Sequence, residues 1–460
     1  MRFNYLSFLI ASPASILSVV RATPTTAALP NTATVNLNNS IGATKFLASG
    51  FIYGFPDNGT NAQTSIPDYL IKDIKFGATR AGGAQISAPG WASGGYEGGY
   101  QKRFESALSN YRSARKYGGA FILLPHDLWG AQGGGAPQFP GDDGNWSEME
   151  KFWNQVIADV KDNDMLDGLV IDIWNEPDGS GFWARSWAQY VEYYVRTTKL
   201  IRAALPDVLI SGPSTAHSPS LDSENWKAWM SAVAGNQTVP DIYSWHQIGE
   251  WEREPDSTVP DFNKLRADYG LPEKPIDVNE YGWNTEQNPA NSVYYISQLE
   301  RHNIRGLRSN WASGSDLHDY MGNLVAKKNG QYVPNGDWQL YKYYAEMVGE
   351  RLETIAASDP QFDVFAVRER LVLKVIAGTR SLQRNGTITI TGLESLGFAS
   401  SDLIGVRRYR FDWNGPQAEV GKPVDLAFIT YRFTEGTINI PFAPPTNTTA
   451  FSYEIALRRS

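Results

Sequence analysis

Short apolar segments alternate with amphipathic stretches along most of the chain, from about residue 45 to about residue 350. The apolar segments have the length of strands buried on both faces, which is the pattern of a parallel sheet covered by helices. The predicted strands cover residues 51–55, 78–82, 121–124, 169–174, 208–211, 242–246, 276–280 and 305–310.

Between these segments, hydrophobic residues recur every three or four positions, as they do on the buried face of a surface helix. The predicted helices cover residues 67–75, 101–116, 146–160, 184–204, 225–233, 262–269, 291–302 and 338–355. Eight strands that alternate with eight helices predict an α/β fold, a (β/α)₈ TIM barrel, rather than an open doubly wound sheet. No G-x-G-x-x-G pattern follows the first strand, which argues further against nucleotide binding.

The pattern changes after residue 359, where apolar and polar residues alternate and Gly, Pro and Asn separate the segments. This alternation predicts strands with one buried face, so we expect a C-terminal all-β sandwich. Its predicted segments cover residues 364–375, 386–391, 405–411, 427–433, 437–440 and 452–457. Residues 33–38 alternate in the same way and are expected to add a strand to the sandwich.

The N-terminus has the pattern of a secretory signal peptide. Arg2 precedes an apolar stretch at residues 5–20, and Val20-Arg21-Ala22 resembles a cleavage site. The stretch is too short and too interrupted to span a membrane, and we expect no membrane association elsewhere. The predicted organisation is a signal peptide at 1–22, an N-terminal segment at 23–44, a barrel at 45–356 and a sandwich at 357–460.

Six Asn-x-Ser/Thr sequons support secretion, because such a set behind a signal peptide is typical of a eukaryotic glycoprotein. The sequons begin at Asn38, Asn58, Asn145, Asn236, Asn385 and Asn447. The chain has no cysteine, which excludes disulfides and thiol catalysis. We therefore expect a large core alone to stabilise this extracellular protein.

The charge balance excludes one class of partner. The net charge is −8, and removal of residues 1–22 with their two arginines brings it to about −10. An acidic chain without a basic run does not fit nucleic-acid binding. Aromatic residues make up 13% of the chain, and such rings suit either a core or a cleft that binds sugars.

Two predicted strands end in Asn-Glu, at Asn175-Glu176 and at Asn279-Glu280. In a (β/α)₈ barrel the chemistry lies at the C-terminal ends of strands, and the fourth and seventh strands face each other. A retaining glycosidase needs two carboxyl groups about 5–5.5 Å apart, one protonated and one ionised. A single Glu at a strand end is as often a salt-bridge partner, so the specificity comes from the run Trp174–Asp178 around Glu176.

Other candidate chemistry is weaker. Glu250, Glu252 and Glu254 are rival carboxylates, but they follow the sixth strand and are predicted to be a solvated loop. The five histidines show neither a His-x-His nor an H-E-x-x-H spacing, so we expect no metal and no other cofactor.

The Trp-Asn-Glu-Pro-Asp run resembles the acid/base motif of the glycoside hydrolase clan A superfamily, and Glu280 falls where that clan keeps its nucleophile. The layout with a terminal sandwich most resembles glycoside hydrolase family 39, which includes β-xylosidases and α-L-iduronidases. Arabinofuranosidase, glucuronidase and endoglycanase families of the clan share both motifs. The resemblance implies a secreted retaining hydrolase of a polysaccharide or glycoconjugate, with Glu176 as acid/base and Glu280 as nucleophile.

The same resemblance implies several binding residues. Asn175 is expected to contact the sugar 2-hydroxyl, and Arg80 to keep the nucleophile ionised or to form a structural ion pair. His246 is predicted to contact the sugar or a carboxylate. His126 has the same expectation, with core packing equally open. Trp311 is expected to form an aromatic floor, and Trp283 to line the cleft or pack in its loop.

Two alternatives remain open at this stage. A carbohydrate-binding or wall-associated barrel with little hydrolytic activity would keep the cleft, and sugar binding without turnover would reveal it. A transglycosylase would share every residue and differ only in what attacks the glycosyl-enzyme.

Overall fold

The computed structural model describes residues 31–132, 135–249, 253–310 and 316–457, and it contains a closed barrel of eight parallel strands. The strands of the first part of the chain are β1 (Thr32–Ala43), β2 (Gly50–Ile52), β3 (Ala78–Ala81), β4 (Ala120–Leu123), β5 (Leu169–Asp172), β6 (Leu209–Thr215), β7 (Ile242–Gln247), β8 (Ile276–Tyr281) and β9 (Arg305–Arg308). Strands β2 to β9 follow each other around the barrel, and β9 pairs with β2 to close it. The predicted barrel is confirmed.

Helices cover the outside of the barrel. They are α1 (Asp68–Lys72), α2 (Trp91–Gly95), α3 (Gln101–Lys116), α4 (Pro125–Trp129), α5 (Ser147–Asp162), α6 (Trp187–Ala204), α7 (Glu224–Asn236), α8 (Pro255–Asp268), α9 (Pro289–His302) and α10 (Gly336–Ala345). The side chains of Ser186, Ser223 and Asn288 accept hydrogen bonds from the first turns of α6, α7 and α9, and so fix where these helices begin. None of the described helices is long and apolar enough to cross a membrane.

A hairpin, β10 (Val325–Lys328) and β11 (Gln331–Pro334), lies between β9 and α10. The strands that follow are β12 (Glu350–Ile355), β13 (Phe362–Arg368), β14 (Val372–Thr379), β15 (Gly386–Thr391), β16 (Leu403–Phe411), β17 (Val424–Arg432), β18 (Thr437–Phe442) and β19 (Ala450–Ala456). Together with β1 they form the second domain, a nine-stranded sheet in the order β17-β16-β19-β14-β13-β12-β1-β15-β18. The N-terminal strand β1 lies inside this sheet, antiparallel to β12 and parallel to β15.

The sheet folds over into two layers. Phe442 of β18 packs on Phe451 of β19 with ring centroids 5.9 Å apart, although these strands lie far apart in the sheet order. Phe442 also stacks on Phe362 of β13 at 4.6 Å. Such contacts require the two ends of the sheet to face each other, so the all-β domain is confirmed and has the layered form of a sandwich.

Two predicted elements differ from the structure. The segment 364–375, predicted as one β run, is divided between β13 and β14, which form a hairpin. The other is a predicted helix. The amphipathic stretch 338–355 was expected to be a single helix, but α10 ends at Ala345 and residues 350–355 form β12. The backbone of Thr44 donates to Gly349, and β12 then pairs with β1. The local pattern of residues 350–355 fits a helix and a strand equally well, and pairing with β1 decides for the strand. The sheet domain therefore begins before residue 357.

Helix α9 joins the two domains. Its residues from Pro289 to Glu300 are all buried, because the barrel covers one side and β13 and β14 cover the other. At its end, Arg301 donates to Asp256 of α8 at 2.8 Å and pairs with the buried Asp363 of β13. His302 adds a 2.6 Å contact to Asp256. An ionic cluster therefore links a barrel helix to the sheet domain.

The carboxylate in this cluster makes stability depend on pH. Burial opposes ionisation of Asp256, but His302 and Arg301 outweigh it and lower its pKa from 3.8 to about 2. We expect Asp256→Asn to lower the free energy of unfolding by about 1 kcal/mol at pH 7, after allowing for solvent screening of a side chain that is 36% exposed. Because the pKa is depressed in the folded state, this contribution is present above pH 4 and disappears between about pH 4 and pH 2.

Urea unfolding of both proteins across this range measures the effect. The exposed Asp68, whose pKa is also lowered to about 2 through Lys72, provides the control Asp68→Asn, for which we expect a smaller change. If the free energies of unfolding of wild type and Asp256→Asn differ by the same amount from pH 7 to pH 2, the lowered pKa of Asp256 does not make stability depend on pH, and the prediction is wrong.

Candidate active site

A cavity of about 790 Å³ opens at the C-terminal ends of the barrel strands. Its walls come from β2, β3 and β8 and from the loops that follow most of the other strands. Glu176, after β5, and Glu280, near the end of β8, both line it. The cavity is large enough for at least one sugar ring, and it lies where barrel enzymes place their chemistry.

The two carboxyl groups face each other across this cavity. One oxygen of Glu176, one oxygen of Glu280 and one ring nitrogen of His246 all lie within 4.8 Å of one another. The Glu280 side chain is 7% exposed and that of Glu176 is 19% exposed, so both are reachable from the cavity but largely shielded from bulk water. The separation of the two carboxyl oxygens is close to that in a retaining glycosidase. It is too short for the water molecule that lies between the two carboxyl groups of an inverting glycosidase.

Arg80 at the end of β3 organises the floor of the cavity. Its guanidinium donates to Glu280 at 2.7 Å, to Asp172 at 2.7 Å and to the side-chain oxygen of Asn175 at 2.8 Å. Burial by itself would lower the pKa of Arg80, but the charges of Asp172 and Glu280 raise it above its ordinary value. A permanent positive charge therefore lies against the carboxylate of Glu280.

Asn175 is oriented by the same contact. Because its side-chain oxygen accepts from Arg80, its amide nitrogen is the group that remains to donate to a ligand. Asp172 is held in turn by Ser214 at 2.7 Å and by Asn279 at 3.0 Å. Both Asn residues of the two Asn-Glu pairs thus take part in one hydrogen-bond network beneath the carboxylates.

The backbone at Glu176 is strained. This residue has a φ of +43°, a conformation that costs a residue other than glycine on the order of 1 kcal/mol or more. Its N–H donates to the carbonyl of Ser214, and its own carbonyl accepts from Gly179, each at 2.9 Å. These bonds hold a sharp turn directly after β5, and the turn presents the Glu176 side chain to the cavity.

His246 of β7 connects the two carboxyl groups. Its Nδ1 lies 2.8 Å from Glu176, and its Nε2 lies 3.9 Å from Glu280. Burial would lower the pKa of this imidazole, but Glu280 and Glu176 outweigh it and raise the pKa above its ordinary value. The His246 imidazole therefore retains its proton at a pH where an isolated imidazole would have lost it.

The predicted binding residue His126 and its neighbour Asp127 have different surroundings. His126 lies in α4, with its ring against Trp174 and Phe182 and its Nδ1 2.9 Å from Asp127. Asp127, not His126, lines the cavity. His126 is fully buried and contacts the carboxylate of Asp127, which agrees with the core packing and the carboxylate contact that were both left open for it.

Of the two predicted tryptophans, the structure describes one. Trp283 lines the cavity and is 38% exposed, so it offers a ring face to a ligand. Trp311, together with Glu250 and Glu252, lies outside the described residues. Glu254, the third rival carboxylate, stands at the start of α8 and pairs with Arg380.

Arg380 follows β14 of the sheet domain, yet its guanidinium is buried against two barrel loops. It donates to Glu286 at 2.6 Å and to Glu254 at 2.9 Å. Glu286 in turn accepts from the backbone N–H of Trp283 at 2.9 Å. A side chain of the second domain thus supports the loop that carries a wall of the cavity, a role with no signal in the sequence around it.

Loss of this support should weaken substrate binding. We expect Arg380→Gln to raise KM several-fold and to lower the free energy of unfolding by about 3–5 kcal/mol, because it leaves two buried carboxylates without their cation. Steady-state kinetics and urea unfolding measure the two effects. The double variant Arg380→Gln/Glu286→Gln removes one of those carboxylates and should recover part of the stability. An unchanged KM in a folded Arg380→Gln protein would show that the contact is structural only.

Glu176, His246 and Glu280 also present a cluster of metal-ligand types within the described part of the chain. A divalent cation there would lie beside the Arg80 guanidinium, which is 2.7 Å from Glu280. Repulsion between the two cations makes this donor set a poor metal site. The groups suit proton transfer and nucleophilic attack instead.

Known proteins resemble the chain in sequence. The model of the family described as Cellulase (glycosyl hydrolase family 5) matches residues 111–316, a segment that contains both Asn-Glu pairs. The 3-O-alpha-D-galactosyl-alpha-L-arabinofuranosidase of Bifidobacterium longum subsp. longum is 20% identical over 342 residues, which are 65% of this chain and 29% of that protein. The chain therefore spans less than a third of the length of this relative.

Solved structures resemble it in fold. N2152 from Neocallimastix frontalis is 20% identical, with a TM-score of 0.73, and the match covers 94% of this chain and 100% of that one. A glycoside hydrolase family 39 enzyme from Xanthomonas axonopodis pv. citri is 14% identical, with a TM-score of 0.56 over 94% and 98% of the two chains. Enzymes of families 30 and 44 match with TM-scores of 0.55 and 0.53 at 14% and 12% identity, so the matches show a shared fold and do not single out family 39.

Proposed function

We propose that this glycoside hydrolase cleaves O-glycosidic bonds with retention of the anomeric configuration, through a covalent glycosyl-enzyme. The observation that carries the proposal is the pair of carboxyl oxygens, from Glu176 and Glu280, within 4.8 Å of each other in the barrel cavity. The fixed charge of Arg80 on Glu280 and the contact of His246 with Glu176 give the two carboxyl groups different tasks.

In the first step, an oxygen of Glu280 attacks the anomeric carbon and forms an ester with it. The bond from that carbon to the leaving oxygen breaks, and Glu176 transfers its proton to the leaving oxygen. Asn175 is placed to donate to the sugar hydroxyl next to the reacting carbon, because its side-chain oxygen is occupied by Arg80.

In the second step, Glu176 takes a proton from a water molecule whose oxygen attacks the anomeric carbon. The ester bond breaks and Glu280 leaves as a carboxylate, so the two displacements together restore the original configuration. His246, 2.8 Å from Glu176, stabilises whichever form Glu176 adopts by accepting or donating the shared proton.

The stereochemistry of the first-formed product tests the mechanism directly. We would identify a substrate with a panel of aryl pentosides and hexosides, and then follow its cleavage by ¹H NMR before the product mutarotates. Retention supports the proposal, and inversion overturns it. A 2-deoxy-2-fluoro analogue of the substrate should add one glycosyl mass to the peptide that contains Glu280, whereas labelling of another carboxylate would reassign the nucleophile.

The same assay separates the alternative functions. Addition of alcohols or free sugars as acceptors distinguishes a transglycosylase, which would form new glycosides at the expense of hydrolysis. Binding of sugars without cleavage of any glycoside in the panel would favour a carbohydrate-binding barrel.

Membership of family 39 and action on a polysaccharide or glycoconjugate are part of the proposal. The barrel with a β-sandwich is shared with the family 39 enzyme from Xanthomonas, and the Bifidobacterium relative is named for action on an arabinofuranoside. We therefore expect aryl pentosides to be cleaved faster than aryl hexosides. Faster cleavage of hexosides would favour one of the other families of the clan.

We also propose that the protein is secreted and glycosylated. The apolar N-terminal stretch supports secretion, and the asparagines of all six sequons are exposed in the structure. Expression in a eukaryotic host that secretes the protein, followed by treatment with an endoglycosidase, tests both points. A protein that stays inside the cells, or whose mass does not fall on treatment, would contradict the corresponding part.

A further inference from the structure

We infer that Asp127 is a specificity-determining residue that binds two neighbouring hydroxyl groups of the sugar. This inference rests on the proposed function, and it names a feature of the substrate: an unsubstituted pair of hydroxyls on the ring that is bound beside Glu280. Asp127 was not among the candidates from the sequence, and its side chain lines the same cavity as the catalytic pair.

The position of Asp127 is that of a ligand-binding group. Tyr53, Arg80 and Asp127 come from three consecutive barrel strands or the loops after them, and they form one wall of the cavity. The charge of Asp127 is also among the causes of the raised pKa of Arg80. The side chain is 5% exposed, similar to the 7% of the Glu280 side chain, so it meets the cavity but little bulk water.

The carboxylate is held rigidly in its ionised form. Tyr53 donates its hydroxyl to one oxygen, and the Nδ1 of His126 lies 2.9 Å from the other. The hydroxyl of Tyr53 is itself fixed by the backbone N–H groups of Gly82 and Ala84, each at 2.9 Å. Burial opposes ionisation of Asp127, but His126 and Tyr53 outweigh it and lower its pKa.

This arrangement leaves lone pairs of Asp127 for a ligand that is bound in the cavity. An ionised carboxylate has about four lone-pair sites, and Tyr53 and His126 occupy one on each oxygen. A buried carboxylate without its full set of donors is costly, and two hydroxyl groups on adjacent ring carbons supply two donors at the spacing of the two carboxylate oxygens. A sugar bound against Glu280 therefore satisfies Asp127, and a sugar with one of these hydroxyls removed or alkylated does not.

The test uses the best aryl glycoside from the panel and its monodeoxy analogues. Since a hydrogen bond to a charged group contributes about 1.5–3 kcal/mol, we expect Asp127→Asn to lower kcat/KM for the parent glycoside about 10- to 100-fold. One or two of the deoxy analogues lack a hydroxyl that Asp127 binds, so the wild type should show a similar loss in kcat/KM on them. On these analogues Asp127→Asn should lower kcat/KM little further. Asp256→Asn, which replaces a partly buried aspartate of an ionic cluster outside the cavity, is the control and should leave kcat/KM unchanged.

The outcomes separate this inference from the proposed function. If the wild type cleaves the parent glycoside and Asp127→Asn loses the same factor on every deoxy analogue, Asp127 does not bind hydroxyls and the inference fails alone. If the wild type cleaves no glycoside, the proposed function fails. In that case calorimetric titration with xylose, arabinose, glucose and galactose decides: weaker binding by Asp127→Asn supports the inference, and no difference from wild type overturns it.

Discussion

Glu280→Gln should reduce kcat by about 10⁴-fold or more on every substrate, because an amide cannot form the glycosyl ester. The fold should survive the change, since the amide oxygen still accepts from Arg80, which lies 2.7 Å from the carboxylate in the wild type. The loss corresponds to at least about 5.5 kcal/mol in the barrier, which is far more than one surface interaction can contribute.

The matched control is Glu273→Gln. Glu273 is exposed and lies just before β8, at the opposite end of the strand that carries Glu280. The same substitution there should leave kcat unchanged. Steady-state rates and the circular dichroism of both variants check the prediction, and a folded Glu280→Gln protein with more than about a tenth of wild-type activity would remove Glu280 from the nucleophile role.

Glu176→Ala should show losses that depend on the leaving group. For glycosides with a poor leaving group, we expect kcat/KM to fall about 10²- to 10⁴-fold, because the leaving oxygen must be expelled without a proton. For dinitrophenyl glycosides the leaving oxygen needs no proton, so kcat/KM should fall about tenfold or less. A plot of kcat/KM against the pKa of the leaving phenol should therefore be much steeper for the variant.

Azide offers a second readout for the same variant. The glycosyl-enzyme of Glu176→Ala lacks a base to activate water, and azide attacks without one, so added azide should raise kcat and yield a glycosyl azide. Glu273→Ala, the matched alanine variant, should not respond to azide. Equal losses on good and poor leaving groups, with no azide response, would argue against general acid catalysis by Glu176.

The sequence sufficed for the barrel and for the positions of Glu176 and Glu280 because both depend on short-range patterns. Buried parallel strands are recognisable as apolar segments, and a residue at the end of such a strand has a defined place in a barrel. Glu176 and Glu280 could be located from their strand ends together with the run Trp174–Asp178, and Arg80 and Asn175 lie next to such strand ends.

The remaining features depend on contacts between distant parts of the chain. Arg380 meets Glu286 and Glu254 at separations of 94 and 126 residues, so nothing around Arg380 predicts its position near the cavity. Asp127 lines the cavity and the adjacent His126 does not, a difference that the sequence of this short helix does not reveal. The strand β12 has a pattern that also fits a helix, and only its pairing with β1 decides between the two.

The place of β1 in the second domain affects the order in which the two domains fold. Because β1 lies between β12 and β15, the whole barrel is an insertion between the first and second strands of the sheet. During synthesis, β1 emerges early but has no partner until more than 300 residues later, at Glu350. Folding of the sheet therefore follows that of the barrel, which brings the two ends of the insertion together and reduces the entropic cost of closing so long a loop.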